Sequence, residues 1–365
     1  TTSGTLLSKT ETSYDGGASW TVAPTKGDAT ASRSWIVEQA RFTTAGTATY
    51  DAYGNVTSAT DPTGRTSSTT WDSSLHLFPL TATNGVSETT TTTWDTTCGV
   101  PATVQDANLQ TASLATDALC RPTTTTLPSP YGVVSTKVYS TLGNPAAQYV
   151  RVETPGPDGS ADWTESWFDG FGRTYRTAKR GPSIAEAILS DAEFNPRGAL
   201  ETQSAPYYAN AGGAMWTDFD YDVFDRPVKT TLPDGKTRLT SYPGLDANGL
   251  FQTVSTNELG QSSTSKTNVL GQLKKQEQST SLHGLLTTSR NYDVQGRMTS
   301  LVDTVGNTWS YTFDSLGRNL TKADPDAGAW TYAYDDAGRM TSQLDAKGQA
   351  TTLGYDAAGR LQYRK

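Results

Sequence analysis

The sequence predicts an all-β chain: an array of antiparallel β-hairpins laid side by side. Three observations predict it. Hydrophobic residues make up 35% and charged residues 18% of the 365 residues, and Thr, Ser and Gly fill the gap. Thr, Tyr and Trp favour strands, while Gly, Asp, Asn and Pro punctuate them. Aromatic residues alternate, as in Trp309, Tyr311, Phe313 and again in Trp330, Tyr332, Tyr334. Period two is the signature of a strand with one aromatic face. Finally, the phrase aromatic-Asp-x-x-Gly-Arg recurs at a fixed interval, which is the mark of a repeat architecture.

Taken in chain order, residues 1–49 are a degenerate β-rich lead-in with no clean period, and "SYDGGASW" is a worn turn within it. The repeat region is 50–365. Loose copies lead off at Tyr50, Trp71, Trp94, Thr116, Tyr139, Phe168, Phe194, Tyr221 and Thr267, with one long gap around Tyr242. Full copies follow at Tyr292, Phe313, Tyr334 and Tyr355, each 21 residues after the last. Loop insertions break the pattern near 151–165, 178–216 and 243–262. Within the second, "SIAEAILSDAEF" has helical composition, but its place before the turn copy "FNPRGA" favours a strand pair.

Each copy has a mechanical reading. The residues before the Asp form a strand. The Asp (Asp293, Asp314, Asp335, Asp356) opens a turn by bonding the backbone two residues on. The Gly (Gly296, Gly317, Gly338, Gly359) takes the left-handed conformation that closes a three-residue hairpin. The Arg (Arg297, Arg318, Arg339, Arg360) then either lies over a neighbouring aromatic or pairs with a turn carboxylate. The adjacent carboxylates of "WTYAYDDAGRM" are therefore turn residues, not a catalytic acid pair. Asp336 occupies a variable position held by Val294, Ser315 and Ala357 in sister copies. A spacing of 21 also predicts aromatic ladders, with Trp309 beside Trp330, Tyr311 beside Tyr332 and Phe313 beside Tyr334.

The inventory of chemistry is sparse. His76 and His283 are the only histidines and lack spaced partners, which disfavours a zinc site or a Ser-His-Asp triad. Asp218, Asp220 and Asp222 share a strand face, where hard cations find oxygen ligands. Val223 stands where a calcium loop needs glycine, so a solvated face is the better reading. No catalytic residue, cofactor or metal is expected. A net charge of -8 without Lys/Arg clusters argues against nucleic acid. No run approaches the roughly 18 apolar residues of a membrane span. Asn55-Val-Thr57 and Asn319-Leu-Thr321 match glycosylation sequons. The opening "TTSGTLLSKT" has neither Met nor an apolar leader, and "GYDAAGRLQYRK" stops one strand past a turn. The expectation is an internal piece of a longer chain, with an edge that further repeats would cover.

Cys98 and Cys120 each lie four residues after the lead position of adjacent repeats. Side-by-side turns about 4.8 Å apart suit a disulfide, whose Cα separations run about 4.4–6.8 Å. Two free thiols are the open alternative.

The full copies resemble the YD repeats of RHS and teneurin-like proteins. "LFPLTATN" and "SAPYYANAGGAMWTDFDYDVFDRPVKTTLPDG" are similar to the long RHS proteins related to Tc insecticidal toxin B and C components. The resemblance implies that the hairpins run on as one continuous, curved strip, part of a hollow RHS-type β-shell of which this chain is a wall segment. It also implies a secreted or cell-surface location, and partners in a downstream RHS core and a toxin cargo of the same or a partner chain. The family's terminal core, with its self-cleaving aspartate site, has no counterpart here. The competing function is a cell-surface adhesion array whose aromatics bind glycans.

Overall fold

A computed structural model describes residues 7–365 other than 18, 129–131, 133, 158, 184–185 and 281. Its secondary structure is 32 strands and a single 3-10 turn, Val37–Gln39. Successive strands pair antiparallel, mostly through short turns, into a sheet of meandering hairpins. The contacts divide into two units. One comprises 1–94, 104–109 and 288–365; the other comprises 95–103 and 110–287.

In the first unit the repeat is a two-strand module. Strand Thr308–Phe313 pairs with Asn319–Asp324, which pairs with Gly328–Tyr334. The register runs Tyr311–Lys322–Trp330 on one face and Thr312–Thr321–Thr331 on the other. The expected direct ladder of aromatics is therefore absent at these strands. A return strand separates successive aromatic strands by about 9.6 Å, twice the strand spacing, and Lys322 lies between the rings of Tyr311 and Trp330 in the register.

The opposite face is small and hydroxylated. Thr49, Ser58, Ser68, Thr83 and Thr89 stand in one row across five strands. Hydroxyls bond across strands at Thr60–Thr66 (2.7 Å), Thr70–Thr81 (2.6 Å), Thr83–Thr89 (2.8 Å) and Thr312–Thr321 (2.7 Å). Such β-branched polar pairs suit a sheet face left open to water.

The second unit repeats the theme with longer strands. The 151–165 stretch is a hairpin: Tyr149–Pro155 pairs with Ala161–Phe168 from end to end. Residues Ala187–Phe194 form a strand, not a helix, and this strand has two partners on one edge. Its first half pairs with Tyr207–Tyr208 and its second half with Leu200–Ser204.

A conventional core is missing from both units. Among the described residues, only Ile36 (1% exposed) and Ala178 are buried apolar side chains. Burial of apolar area, the main driving term in ordinary domains, is therefore modest. Ladder hydrogen bonds and the side-chain brackets at the turns must carry more of the stability.

Candidate functional site: the row of turns

Every full repeat turn is built in one way. At Asp314 the carboxylate accepts from the main-chain N–H of Leu316 (3.0 Å) and Arg318 (2.8 Å), and from Arg318 Nε (2.6 Å). The Gly317 N–H closes the turn on the Asp314 carbonyl, and its φ of 85° is the left-handed conformation that favours glycine. Asp293–Arg297, Asp335–Arg339 and Asp356–Arg360 repeat the arrangement. Gly296, Gly338 and Gly359 also have positive φ. Burial pushes the Asp293 carboxyl up, but donors from Arg297 and Gln295 outweigh it and hold it below its ordinary value. At Asp356 the Arg360 guanidinium is the leading cause of the same downward shift.

Adjacent repeats are joined by a bracket made of the arginine and the next lead aromatic. Arg339 pairs with Asp335 and also lies over the Tyr355 ring, 4.8 Å from its centre. The Tyr355 hydroxyl donates back to the Met340 carbonyl (2.8 Å), next to that arginine. Arg121 with Tyr139 and Arg226 with Tyr242 do the same, through the carbonyls of Pro122 and Pro227. Arg318 stacks on Tyr334 and donates to the Asp335 carbonyl at 2.7 Å. Tyr242, in the apparent gap of the sequence pattern, thus serves as a lead aromatic. Its hexapeptide lacks the Asp, and that is why the motif misses it.

The tips of the turns form a seam with the lead-in. Ser315 Oγ accepts from the Val37 N–H (3.0 Å), and the Ser315 N–H donates to Glu38 Oε2 (3.1 Å). One repeat on, the Asp336 carboxylate takes Arg41 (2.7 Å) and the Thr44 N–H (2.6 Å). Arg41 leads the causes that lower the Asp336 carboxyl to about 2. Further on, Arg360 pairs with Glu88 (3.0 Å). The order is collinear: 315, 336 and 360 meet 35–38, 41–44 and 88. Ile36, the most buried apolar residue, sits within this stretch. Asp336, a variable position by sequence, is thus an ion-pair partner. Only the tip's charge hinted at it.

Cys98 and Cys120 are joined, with Cα atoms 5.2 Å apart. The three aspartates do not converge on a common point. Asp222 closes its own turn with Arg226, and Asp220 pairs with Lys229. His76 stacks on Tyr53, 3.6 Å between ring centres. The sequon amide of Asn55 is engaged by Asp51 and the His76 carbonyl. Among the described residues no cluster of three metal-ligating side chains occurs, and no helix is long and apolar enough to cross a membrane. An open groove of about 710 Å³ in the first unit has hydroxyl, amide and charged side chains, including Ser67, Asn84, Glu88 and Arg360, and no aromatic ring in its lining.

A hairpin array stitched turn to turn by Asp, Gly and Arg defines a class of repeat protein, and comparison with known proteins agrees. The RHS repeat family model matches residues 292–329, 319–350 and 334–364. Residues 292–364 thus carry repeats of the RHS type. The fold of the chain is similar to the crystal structure of TcdB2-TccC3, with a TM-score of 0.81 at 16% identity over 98% of this chain. TcdB2-TccC3-Cdc42 (TM-score 0.80, 15% identity) and the Photorhabdus luminescens Tc holotoxin pore (0.77, 14%) are likewise similar over 98% of this chain. The chain spans about a quarter of each matched chain: 24%, 26% and 26%. No curated protein sequence matches it.

Proposed function

We propose that this chain is a wall segment of a secreted, RHS-type toxin shell. It encloses a toxic C-terminal or partner cargo and takes no part in chemistry itself. The observation that carries this reading is the likeness of fold along 98% of the chain to TcdB2-TccC3. The single-layer sheet supports it. A sheet with two buried apolar side chains among its described residues has little interior of its own, as suits a wall. The partners on this reading are a downstream RHS core and the cargo. The adhesion reading is weaker, because arginines already cover several of the rings that an adhesin would offer to glycans.

The test is limited proteolysis of the full-length polypeptide that contains this sequence. Its cargo segment should survive protease in the native protein and be cut once the wall is unfolded. Equal digestion of the cargo in both states would mean that the segment encloses nothing.

A further inference from the structure

We propose that the Cys98–Cys120 disulfide is a redox-controlled brace, standing in for the arginine–aromatic bracket at one junction between repeats and released by thiol reductants. This junction lacks both halves of a bracket. In the phrase aromatic-Asp-x-x-Gly-Arg, the first turn reads Trp94-Asp95-Thr96-Thr97-Cys98-Gly99, and the next reads Thr116-Asp117-Ala118-Leu119-Cys120-Arg121. Gly99 stands where the arginine should reach forward. Thr116 stands where the next ring should receive it. Both halves of the bracket are missing at the same place.

In the repeat phrase both cysteines fall at the glycine position, but in the first turn it is Gly99, with φ of 67°, whose N–H closes on the Asp95 carbonyl (2.8 Å), leaving Cys98 just before the closing residue. Cys120 adopts the glycine-like backbone, with φ of 61°, and its N–H closes the turn on the Asp117 carbonyl (2.9 Å). The Asp95 carboxylate caps its own turn through the Thr97 and Cys98 N–H groups, with no guanidinium in reach from position 99. Thr116 offers only a 3.7 Å contact from its hydroxyl to Cys98 sulfur. The following junction is conventional: Arg121 lies over Tyr139, and Tyr139 donates to the Pro122 carbonyl. The covalent link therefore replaces a non-covalent one that the sequence has given up here.

Release needs two electrons and two protons. Two monothiols of the glutathione class, or one dithiol, supply both. The S–S bond breaks, two cysteine thiols form, and the reductant leaves as its own disulfide. Among the described residues no arginine–aromatic contact joins these two turns, so reduction frees them locally while the brackets elsewhere persist. A chain made in a reducing compartment would then have a loose junction that stiffens on export. This inference concerns one junction and stands whether or not the wall encloses a cargo.

Hydrogen exchange on the whole chain, oxidised and reduced, tests it. Reduction should raise exchange at 95–99 and 117–121 by tenfold or more, on the order of the stabilisation a cross-link of this loop length provides. The turns at 293–297 and 314–318 should be unaffected. A second variant, Cys98→Gly/Gly99→Arg/Thr116→Tyr/Cys120→Gly, restores the repeat phrase at both turns. It should keep the oxidised level of protection in the presence of reductant. Unchanged exchange on reduction overturns the proposal. So does loss of protection along the whole chain, which would make the bridge a global staple, and so does finding two reactive thiols in the native oxidised protein.

Discussion

Asp314 is the residue at which the turn chemistry is most exposed to test. Its side chain is 2% exposed and its partner Arg318 is 11% exposed. Asp356 and Arg360 make the same pair at 24% and 61%. The Asp–Arg pairing is the same at the two turns, but burial differs, and Arg360 has Glu88 as a second partner. Removing one partner of a buried pair strands the other and costs about 3 kcal/mol, whereas exposed pairs contribute little. Asp314→Ala should therefore lower stability by about 3 kcal/mol in urea unfolding, and Asp356→Ala much less. Equal effects at both sites would show that the turn hydrogen bonds, not the burial, set the energy.

At the scale of elements, the seam couples segments almost 300 residues apart through side chains of the turn tips. Asp336 is the carboxylate of this seam held down by Arg41 and the Thr44 N–H. Its folded value of about 2 lies below the 3.8 it has when free. Its contribution is thus complete above about pH 4 and is lost as pH falls through about 2. Asp336→Asn should be less stable than the parent at pH 6, and the difference should vanish near pH 2. The swap Arg41→Asp/Asp336→Arg should recover more stability than either single change, measured as a double-mutant cycle. Additive single effects would mean that the tip and the lead-in do not recognise each other.

For the molecule as a whole, strand contacts away from the seam are almost all between neighbours in the chain, which implies local responses, as in other repeat arrays. Within the second unit, Arg121→Ala removes the bracket to Tyr139. Faster hydrogen exchange should appear in Val134–Ser140 and its paired strands, and not in Ser262–Thr267 or Leu273–Thr280. A change that spread evenly over 110–287 would point to a cooperative body in place of an array. This locality follows from the missing core: with few buried apolar groups, little transmits strain from one repeat to the next.

The sequence by itself determined the strands, the turns and their period. Alternating aromatics, an Asp that caps its own turn and a glycine at positive φ are local requirements, and each is satisfied within a few residues. The turn roles of Asp293, Asp314, Asp335 and Asp356 were legible for that reason. Apart from the Cys98–Cys120 pairing and the arginine over a neighbouring ring, what lies across strands was not. The aromatic ladder failed because two hairpins of equal length leave a return strand between their aromatic strands, and Lys322 fills that place. Tyr242 was hidden because its role needs only a ring near Arg226, not the rest of the motif. Asp336 and Ser315 acquire partners only when the strip brings its last turns onto residues 35–44. That meeting depends on the summed twist and register of many strand pairs, a long-range quantity that no single repeat encodes.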